Sequence, residues 1–326
     1  MPMSRHHILV TGGAGFIGSH LVDRLLHEGH RVVVIDNGST GSLENLAGVR
    51  DDPRLEVIHT RVSQCPRLDT LVREASFVFH LAAAVGVELV VQSPVGTIHN
   101  NLAESEVILR AAAEARTPVL FTSTSEVYGK SQREVFTEND DLIIGPPHLG
   151  RWSYACSKLM DEFLAMAYAK EHGLEVTIVR LFNTVGPRQT GRYGMVLPRF
   201  IEAARSHRPV RVYGSGQQTR CFCLVHDTVE ALVRLMRLPA ARGEVFNVGN
   251  DEEVSIHHLA ERVILELQSS SSIELVPYEK AYVPGFEDML RRRPSVAKLE
   301  RATGFRPRTT LSEIIRWTAG LPTAKA

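Results

Sequence analysis

Cysteine is scarce in this chain, and long apolar runs are missing from it. Its 326 residues include four cysteines, and none of these is spaced as a CxxC pair. This excludes a disulfide scaffold and suits a reducing cytoplasm, where we expect the protein to work. No stretch reaches about 18 uninterrupted apolar residues, and no apolar signal segment follows the N-terminus. We therefore expect neither a membrane span nor a secretory signal.

An excess of either charge is also missing. The chain has 37 lysines and arginines against 37 aspartates and glutamates, and its longest basic run is residues 291–293. Such a balance of charges argues against a protein that binds nucleic acids or membranes through an overall positive charge. The cysteines and the 14 histidines are scattered without metal-ligand spacing, so no metal site is predicted. With 44% hydrophobic residues, the composition is that of a folded protein.

Short β-branched segments alternate with longer amphipathic segments in the first half of the chain. They predict strands at residues 7–11, 31–36, 55–59, 77–81, 119–122 and 176–180, and helices at residues 16–27, 101–115 and 154–172. This alternation is typical of βαβ units around a parallel sheet. We therefore predict a Rossmann-like, doubly wound α/β fold.

The alternation stops after residue 182, where prolines and glycines predict loops over residues 186–216. A helix at residues 227–237, a strand at residues 244–248 and a helix at residues 255–267 are predicted beyond them. We assign residues 1–182 to a dinucleotide-binding domain and residues 183–326 to a smaller C-terminal α/β lobe for substrate. The chain can cross back between these two units.

A glycine-rich segment, TGGAGFIG, stands between the first predicted strand and the first predicted helix. Gly12, Gly15 and Gly18 suit a tight turn, close approach of backbone N–H groups to a pyrophosphate and close packing of helix on strand. Asp36 ends the second predicted strand, where a carboxylate accepts hydrogen bonds from ribose and repels a 2′-phosphate. We therefore predict NAD rather than NADP. A purely structural glycine turn with a surface aspartate is the alternative.

A Tyr-x-x-x-Lys pair, Tyr154 and Lys158, lies on a predicted helix. The i, i+4 spacing places both side chains on one face. An ammonium group beside the phenol, together with an oxidised nicotinamide ring, is expected to lower the tyrosine pKa from about 10 toward neutrality. The pair therefore predicts a proton-transfer site.

These motifs, with the segments HLAA at residues 80–83, STSEVYG at 123–129 and RLFN at 180–183, resemble the extended short-chain dehydrogenase/reductase family. The resemblance covers nearly the whole chain and implies an enzyme that modifies nucleotide sugars. It implies that bound NAD takes a hydride from sugar C4 while the tyrosine takes the O4 proton, leaving a 4-keto intermediate.

The resemblance also implies a set of site residues. Catalysis is assigned to Thr124, Ser125, Glu126, Tyr154 and Lys158. Cofactor binding is assigned to Gly12, Gly15, Phe16, Ile17, Gly18, Asp36, Asn37, Leu81, Ala82 and Ala83, together with Tyr154 and Lys158. Substrate binding is assigned to Asn183, Arg192, Leu197, Tyr213, Arg220 and Arg292. One match is missing, because Thr60 and Arg61 stand where relatives place a Gly-Asp pair that holds the adenine.

Three reactions remain open within this family. Glu126 and the RRPS turn resemble UDP-glucuronate decarboxylases, whereas the GPRQ segment at residues 186–189 is typical of epimerases. The chain as a whole resembles the UDP-glucuronate 4-epimerases of antibiotic biosynthesis, which interconvert UDP-glucuronate and UDP-galacturonate. We take that as the main interpretation. Decarboxylation to a UDP-pentose and UDP-glucose 4-epimerisation are the alternatives.

Arg192 has a physical reason to matter in an epimerase. Oxidising C4 of a glucuronate makes a β-keto acid, which can lose CO₂. A charge-assisted bond to the carboxylate slows that loss by about 10- to 100-fold. We hypothesise that Arg192 makes this bond, with Arg188 and a merely solvated loop charge as alternatives. Glu126 either acts as a catalytic acid or only orients the sugar.

The predicted helices at residues 101–115 and 154–172 carry apolar residues on more than one face. Burial against the sheet is one explanation, but the family resemblance implies a homodimer that joins these helices in a four-helix bundle. A non-catalytic NAD-sensing or scaffold protein on the same fold is the remaining alternative.

Overall fold

The computed structural model describes residues 6–83, 93–191, 195–281, 289 and 291–322. The strands are β1 (His7–Thr11), β2 (Val32–Asp36), β3 (Leu55–His59), β4 (Ala75–His80), β5 (Val119–Thr124), β6 (Val176–Leu181), β7 (Thr184–Val185), β8 (Val210–Tyr213), β9 (Thr219–Cys221), β10 (Cys223–Leu224), β11 (Glu244–Val248), β12 (Glu253–Ser255) and β13 (Ile273–Val276). The helices are α1 (Phe16–His27), α2 (Leu68–Glu74), α3 (Pro94–Ala115), α4 (Trp152–His172), α5 (Val196–Arg205), α6 (Val225–Met236), α7 (Ile256–Glu266), α8 (Tyr278–Ala281), α9 (Ala297–Thr303) and α10 (Leu311–Thr318).

Seven strands form the central sheet in the order β11-β6-β5-β4-β1-β2-β3. Each neighbouring pair in it is parallel. The strand order reverses at β1, which lies between β2 and β4. In an open parallel sheet this reversal opens a crevice at the carboxyl ends of the strands, where ligands bind. The predicted Rossmann-like, doubly wound sheet is confirmed.

Apolar side chains cover both faces of the sheet. Val10 and Val34 belong to a core with helices α1 and α6. Leu9 and Val33 belong to a second core with α2, α3 and α4. Because neighbouring residues of a strand point to opposite faces, a strand buried on both sides has continuous apolar sequence, as β1 and β2 do.

The smaller lobe has its own core. Helices α5, α7 and α10 pack around strands β8 and β12, with Phe200, Leu259 and Ile315 among the buried residues. Strand β8 pairs with β13, and β9 pairs with β12. This lobe is the C-terminal α/β unit that we expected beside the sheet.

Three expectations about the second half of the chain are wrong. Strand β11 was assigned to the smaller lobe, but it pairs in parallel with β6 at the edge of the central sheet. The boundary at residue 182 therefore separates β11 from the other strands of its own sheet. Residues 186–216 contain α5 and β8 as well as loops, because Pro198 falls in the first turn of α5, where a proline is tolerated. Helix α3 begins at Pro94 rather than at residue 101.

Candidate active site

The glycine-rich turn joins β1 to α1 as its sequence predicts. Gly12 has a φ of +73°, and a Cβ atom there would lie 2.7 Å from the backbone nitrogen of Ala82. A Cβ on Gly18 would overlap the carbonyl oxygen of Gly12. No side chain caps the N-terminus of α1, and its first turn contains no acidic residue. The free N–H groups at this end suit a pyrophosphate.

Asp36 lies at the carboxyl end of β2 and is buried. Its Oδ2 accepts a hydrogen bond from the Ala14 N–H at 2.9 Å, and its Oδ1 accepts one from the Gly38 N–H at 2.8 Å. Each carboxylate oxygen has a second lone pair, so both remain able to accept from ribose hydroxyl groups. The backbone therefore holds this carboxylate in the position that a dinucleotide requires.

The predicted cofactor and catalytic residues line a single cavity of about 400 Å³ at the carboxyl ends of the strands. Every predicted cofactor residue lies on its wall, as do Thr124, Ser125, Glu126 and Asn183. The cavity runs from Asp36 past the glycine turn to Tyr154. The residues present thus fit a dinucleotide whose nicotinamide end meets the tyrosine.

The proton-transfer residues come from the end of β5 and the start of α4. The Thr124 hydroxyl group is hydrogen-bonded to the Tyr154 phenol. Lys158 Nζ donates to Asp161 Oδ2 at 3.0 Å and lies 4.4 Å from the centre of the Phe121 ring. The lysine ammonium group is therefore held in place by a buried carboxylate and an aromatic face.

The pKa of Tyr154 is raised by the chain's own groups. Burial is the largest cause, and the negative charges of Glu126 and Asp161 add to it. The hydrogen bond from Thr124 and the charge of Arg292 act in the opposite direction. The expectation that Lys158 and an oxidised nicotinamide ring together lower this pKa concerns the cofactor-bound site, and it stays a prediction.

Glu126 lies beside the tyrosine at the centre of a group of arginines. Its Oε2 accepts from Arg151 Nη1 at 2.7 Å, and its Oε1 accepts from Arg292 Nη1 at 3.4 Å. Burial alone would raise the pKa of this carboxyl group, but Arg151, Arg292 and Arg220 together lower it to about 2. Glu126 is therefore ionised at neutral pH.

We expect a Glu126→Gln variant to show how this ion pairing depends on pH. Folding lowers the pKa of Glu126, so its ionised form stabilises the fold at pH values above 4.5, the ordinary pKa of a glutamate. This stabilisation is lost as the pH falls toward 2. The wild type should be more stable than Glu126→Gln by about 1–3 kcal/mol at pH 6, with the difference vanishing between pH 5 and pH 2. Urea denaturation at several pH values measures it, with Glu171→Gln, at an exposed position of α4, as the control. A difference that does not change with pH contradicts the expectation.

The predicted substrate residues do not all reach the cavity. Asn183 lines it and donates from Nδ2 to the Cys221 carbonyl oxygen at 3.0 Å. Leu197 is wholly buried in the core of the smaller lobe, and the Tyr213 ring lies 4.3 Å from the Arg199 guanidinium carbon. Arg220 acts on Glu126 through its charge, as Arg292 does. Arg192 lies outside the described residues.

Arg151 is a functional candidate that the sequence reasoning missed. It lines the cavity and forms a shorter ion pair with Glu126 than Arg292 does. Only 4% of its side chain is exposed. It precedes Tyr154 by three residues, so the i, i+3 spacing that places two side chains on one helical face could have pointed to it. Its guanidinium carbon lies 5.3 Å from the centre of the Trp152 ring.

The chain is similar to several characterised proteins. Residues 8–249 match the model of the NAD-dependent epimerase/dehydratase family. UDP-N-acetyl-α-D-glucosaminuronate decarboxylase of Bacillus cytotoxicus is 41% identical, over 95% of this chain and 96% of that protein. UDP-glucuronic acid decarboxylase 1 of Arabidopsis thaliana is 37% identical, over 95% of this chain and 68% of that protein.

The fold is shared with a solved epimerase. The structure of UDP-glucuronic acid 4-epimerase from Bacillus cereus, in complex with UDP-glucuronic acid and NAD, superposes with a TM-score of 0.85. It is 28% identical and covers 96% of this chain and 98% of its own. Within the described part of this chain, no helix has the length and apolar character needed to cross a membrane. NAD is the cofactor of this group, and the chain belongs to the NAD-dependent epimerase/dehydratase family.

Proposed function

We propose that this protein oxidises C4 of a UDP-hexuronate and that the resulting 4-keto acid is then decarboxylated. The observation that carries this proposal is the group of arginines around Glu126. Arg151 lines the cavity with Glu126 and Tyr154, while Arg220 and Arg292 act on Glu126 through their charges. Arginine guanidinium groups of this kind suit an acidic sugar or its diphosphate, because they form charge-assisted hydrogen bonds with carboxylates and phosphates. A neutral hexose has no carboxylate on its ring to pair with these arginines.

The first half-reaction follows from the residues around Tyr154. When bound, NAD accepts a hydride from the oxidised carbon and can return it. Tyr154 accepts the proton from the O4 hydroxyl group as the ketone forms, and the Thr124 hydroxyl group shares a hydrogen bond with the phenol. Asp161 holds the Lys158 ammonium group in a fixed place on the same helix as Tyr154. The proton is retained on Tyr154 for the reverse transfer.

The fate of the ketone depends on how firmly the sugar carboxylate is held. In decarboxylation the C5–C6 bond breaks, CO₂ leaves, and the electron pair forms an enolate that is later protonated at C5. Glu126 already accepts hydrogen bonds from Arg151 and Arg292, so these donors are partly occupied. An ionised carboxylate beside the substrate carboxylate also repels it. Both effects favour loss of CO₂, and the decarboxylase relatives support the same outcome.

Epimerisation to UDP-galacturonate is the second candidate. It is supported by the similarity to the UDP-glucuronic acid 4-epimerase of Bacillus cereus and by the GPRQ segment at residues 186–189. In this case the ketose rotates about its diphosphate linkage and receives the hydride on its other face. Arg192 stays our candidate for the group that prevents loss of CO₂.

Product analysis separates the two candidates. The purified protein is incubated with UDP-glucuronate, UDP-N-acetylglucosaminuronate and UDP-glucose, and the products are followed by mass and by NMR. Decarboxylation lowers the product mass by one CO₂, whereas epimerisation conserves mass and inverts C4. If epimerisation occurs, an Arg192→Ala variant should release CO₂. Interconversion of UDP-glucose and UDP-galactose without any reaction of the acids would overturn the hexuronate assignment.

We also propose a homodimer formed through helices α3 and α4. These helices pack on each other and still leave large apolar side chains exposed, namely Val95, Ile98, Met160, Phe163 and Met166. Val95 is 78% exposed and Phe163 is 66% exposed. An apolar surface of this kind on two neighbouring helices suits a symmetric partner that presents the same surface.

A charged residue on this surface should prevent dimer formation. We expect Phe163→Glu to run as a monomer in size-exclusion chromatography with light scattering, because it places a carboxylate in a desolvated contact. Leu265 on α7 is equally exposed, at 66%, so Leu265→Glu is the matched control and should leave the dimer intact. A wild type that is monomeric at all concentrations contradicts the proposal.

A further inference from the structure

The cavity continues beyond Asp36 toward the edge of the sheet. Strand β3 lies next to β2, and Asp36 is paired with His59 at its end. Residues after both strands line this part of the cavity: Asn37, Ser39 and Thr40 after β2, and Thr60, Arg61 and Val62 after β3. Since a carboxylate at the end of the second strand would hold the adenosine ribose, the residues of these two loops would hold the purine base of a bound dinucleotide.

An adenine base brings an exocyclic amino group that needs a hydrogen-bond acceptor. Arg61 cannot supply one, because a guanidinium group only donates. Its Nη1 donates to Asn100 Oδ1 at 3.2 Å, so that amide oxygen already accepts a bond. Asn37 Oδ1 accepts from the Ser39 N–H at 3.0 Å. A carboxylate on the same wall would be a stronger acceptor than these amide oxygens, because hydrogen bonds to charged groups are the stronger ones.

Glu104 of helix α3 lies on the wall of the same part of the cavity. Its Oε2 accepts from the Ser63 N–H at 2.9 Å, and its Oε1 accepts from the Ser63 hydroxyl group at 2.7 Å. Ser63 follows Arg61 by two residues, in the loop after β3. These two bonds hold the carboxylate beside that loop, and each oxygen keeps a lone pair for a further donor.

We propose that Glu104 accepts a hydrogen bond from the 6-amino group of the cofactor's adenine. The acceptor expected at the end of β3 is thus supplied from across the cavity by a helix, and it selects adenine over a 6-oxopurine, whose oxygen the carboxylate repels. This role does not depend on whether the enzyme decarboxylates or epimerises its substrate.

Competition between two dinucleotides tests this role on the holoenzyme. The protein is equilibrated with equal concentrations of NAD and nicotinamide hypoxanthine dinucleotide, in which a carbonyl oxygen replaces the amino group. Unbound ligand is removed, the protein is denatured, and the two released dinucleotides are quantified by chromatography. A hydrogen bond to a charged group predicts a wild-type preference for NAD of at least tenfold.

A Glu104→Gln variant should lose that preference. The glutamine amide can accept from an amino group or donate to a carbonyl oxygen, so the bound ratio should fall to about one. Glu106 is exposed on the same helix, and Glu106→Gln is the matched control, with the wild-type ratio expected. Ser63→Ala, which removes one of the two bonds that hold the carboxylate, should give an intermediate ratio.

The ratio is insensitive to the amount of folded protein, because both ligands compete for the same molecules. A wild type that takes up both dinucleotides equally overturns the role of Glu104. A Glu104→Gln variant that keeps the wild-type ratio overturns it as well. Neither result would affect the assignment of the sugar substrate.

Discussion

A Tyr154→Phe variant is expected to lower kcat by about 10²- to 10⁴-fold while binding NAD as the wild type does. The ring of phenylalanine fills the same buried space, but it cannot accept the O4 proton. Burial together with Glu126 and Asp161 raises the pKa of this tyrosine, so its deprotonated form is scarce without a compensating positive charge. Activity of the wild type should therefore rise with pH across the neutral and alkaline range.

Single-turnover and steady-state rates with UDP-glucuronate and with UDP-N-acetylglucosaminuronate measure the effect. Tyr168 lies on the same helix and does not line the cavity, so Tyr168→Phe is the matched control and should keep wild-type activity. Bound NAD is quantified in each preparation to show that the site is intact. A Tyr154→Phe variant with activity within tenfold of the wild type would exclude the tyrosine as the proton acceptor.

A Glu162→Ala variant is expected to lose about 3–5 kcal/mol of unfolding free energy. Glu162 Oε2 accepts from Arg180 Nη2 at 2.8 Å, and Glu162 Oε1 accepts from Arg180 Nε at 3.1 Å. The two side chains are only 6% and 5% exposed, and Ser123 also donates to this carboxylate. Truncating Glu162 leaves the Arg180 charge buried without its carboxylate, which is costly in a low-dielectric interior.

Urea denaturation at pH 7 measures this loss. Glu171→Ala, at an exposed position of the same helix, is the control and should change the unfolding free energy by less than about 0.5 kcal/mol. A Glu162→Leu, Arg180→Met double variant should recover much of the loss, because it removes both buried charges. A change below about 1 kcal/mol for Glu162→Ala would show that the pair adds little to the fold.

The position of Glu162 links this stability to the site. It lies on α4 one turn after Lys158, and its partner Arg180 lies on β6. Arg180 Nη1 also donates to the Tyr128 hydroxyl oxygen at 3.0 Å, beside the turn that carries Glu126. The network thus ties the helix of the tyrosine to two neighbouring strands.

Local patterns predicted the elements that hold the cofactor. The bounds of β1 and α1 were obtained correctly, because continuous apolar residues, three glycines and a helix that ends before Gly29 are features of adjacent residues. Asp36, Tyr154 and Lys158, which short-range motifs indicated, line one cavity, and their roles there stay predictions. Each of these features depends on spacings of a few residues, which the chain carries in its linear order.

Contacts between segments that are far apart in the chain could not be predicted from local patterns. Glu126 forms ion pairs with Arg151 and Arg292 and is affected by the charge of Arg220, because segments far apart in the chain converge at the carboxyl ends of the strands. Strand β11 returns to pair with β6 through a crossover that no local pattern specifies. Burial and the charges of Glu126 and Asp161, which raise the pKa of Tyr154, likewise depend on packing that no local pattern specifies. The spacing of residues in a motif thus determines which chemistry is possible. The tertiary packing around each titratable group determines its pKa and therefore the charge that it carries.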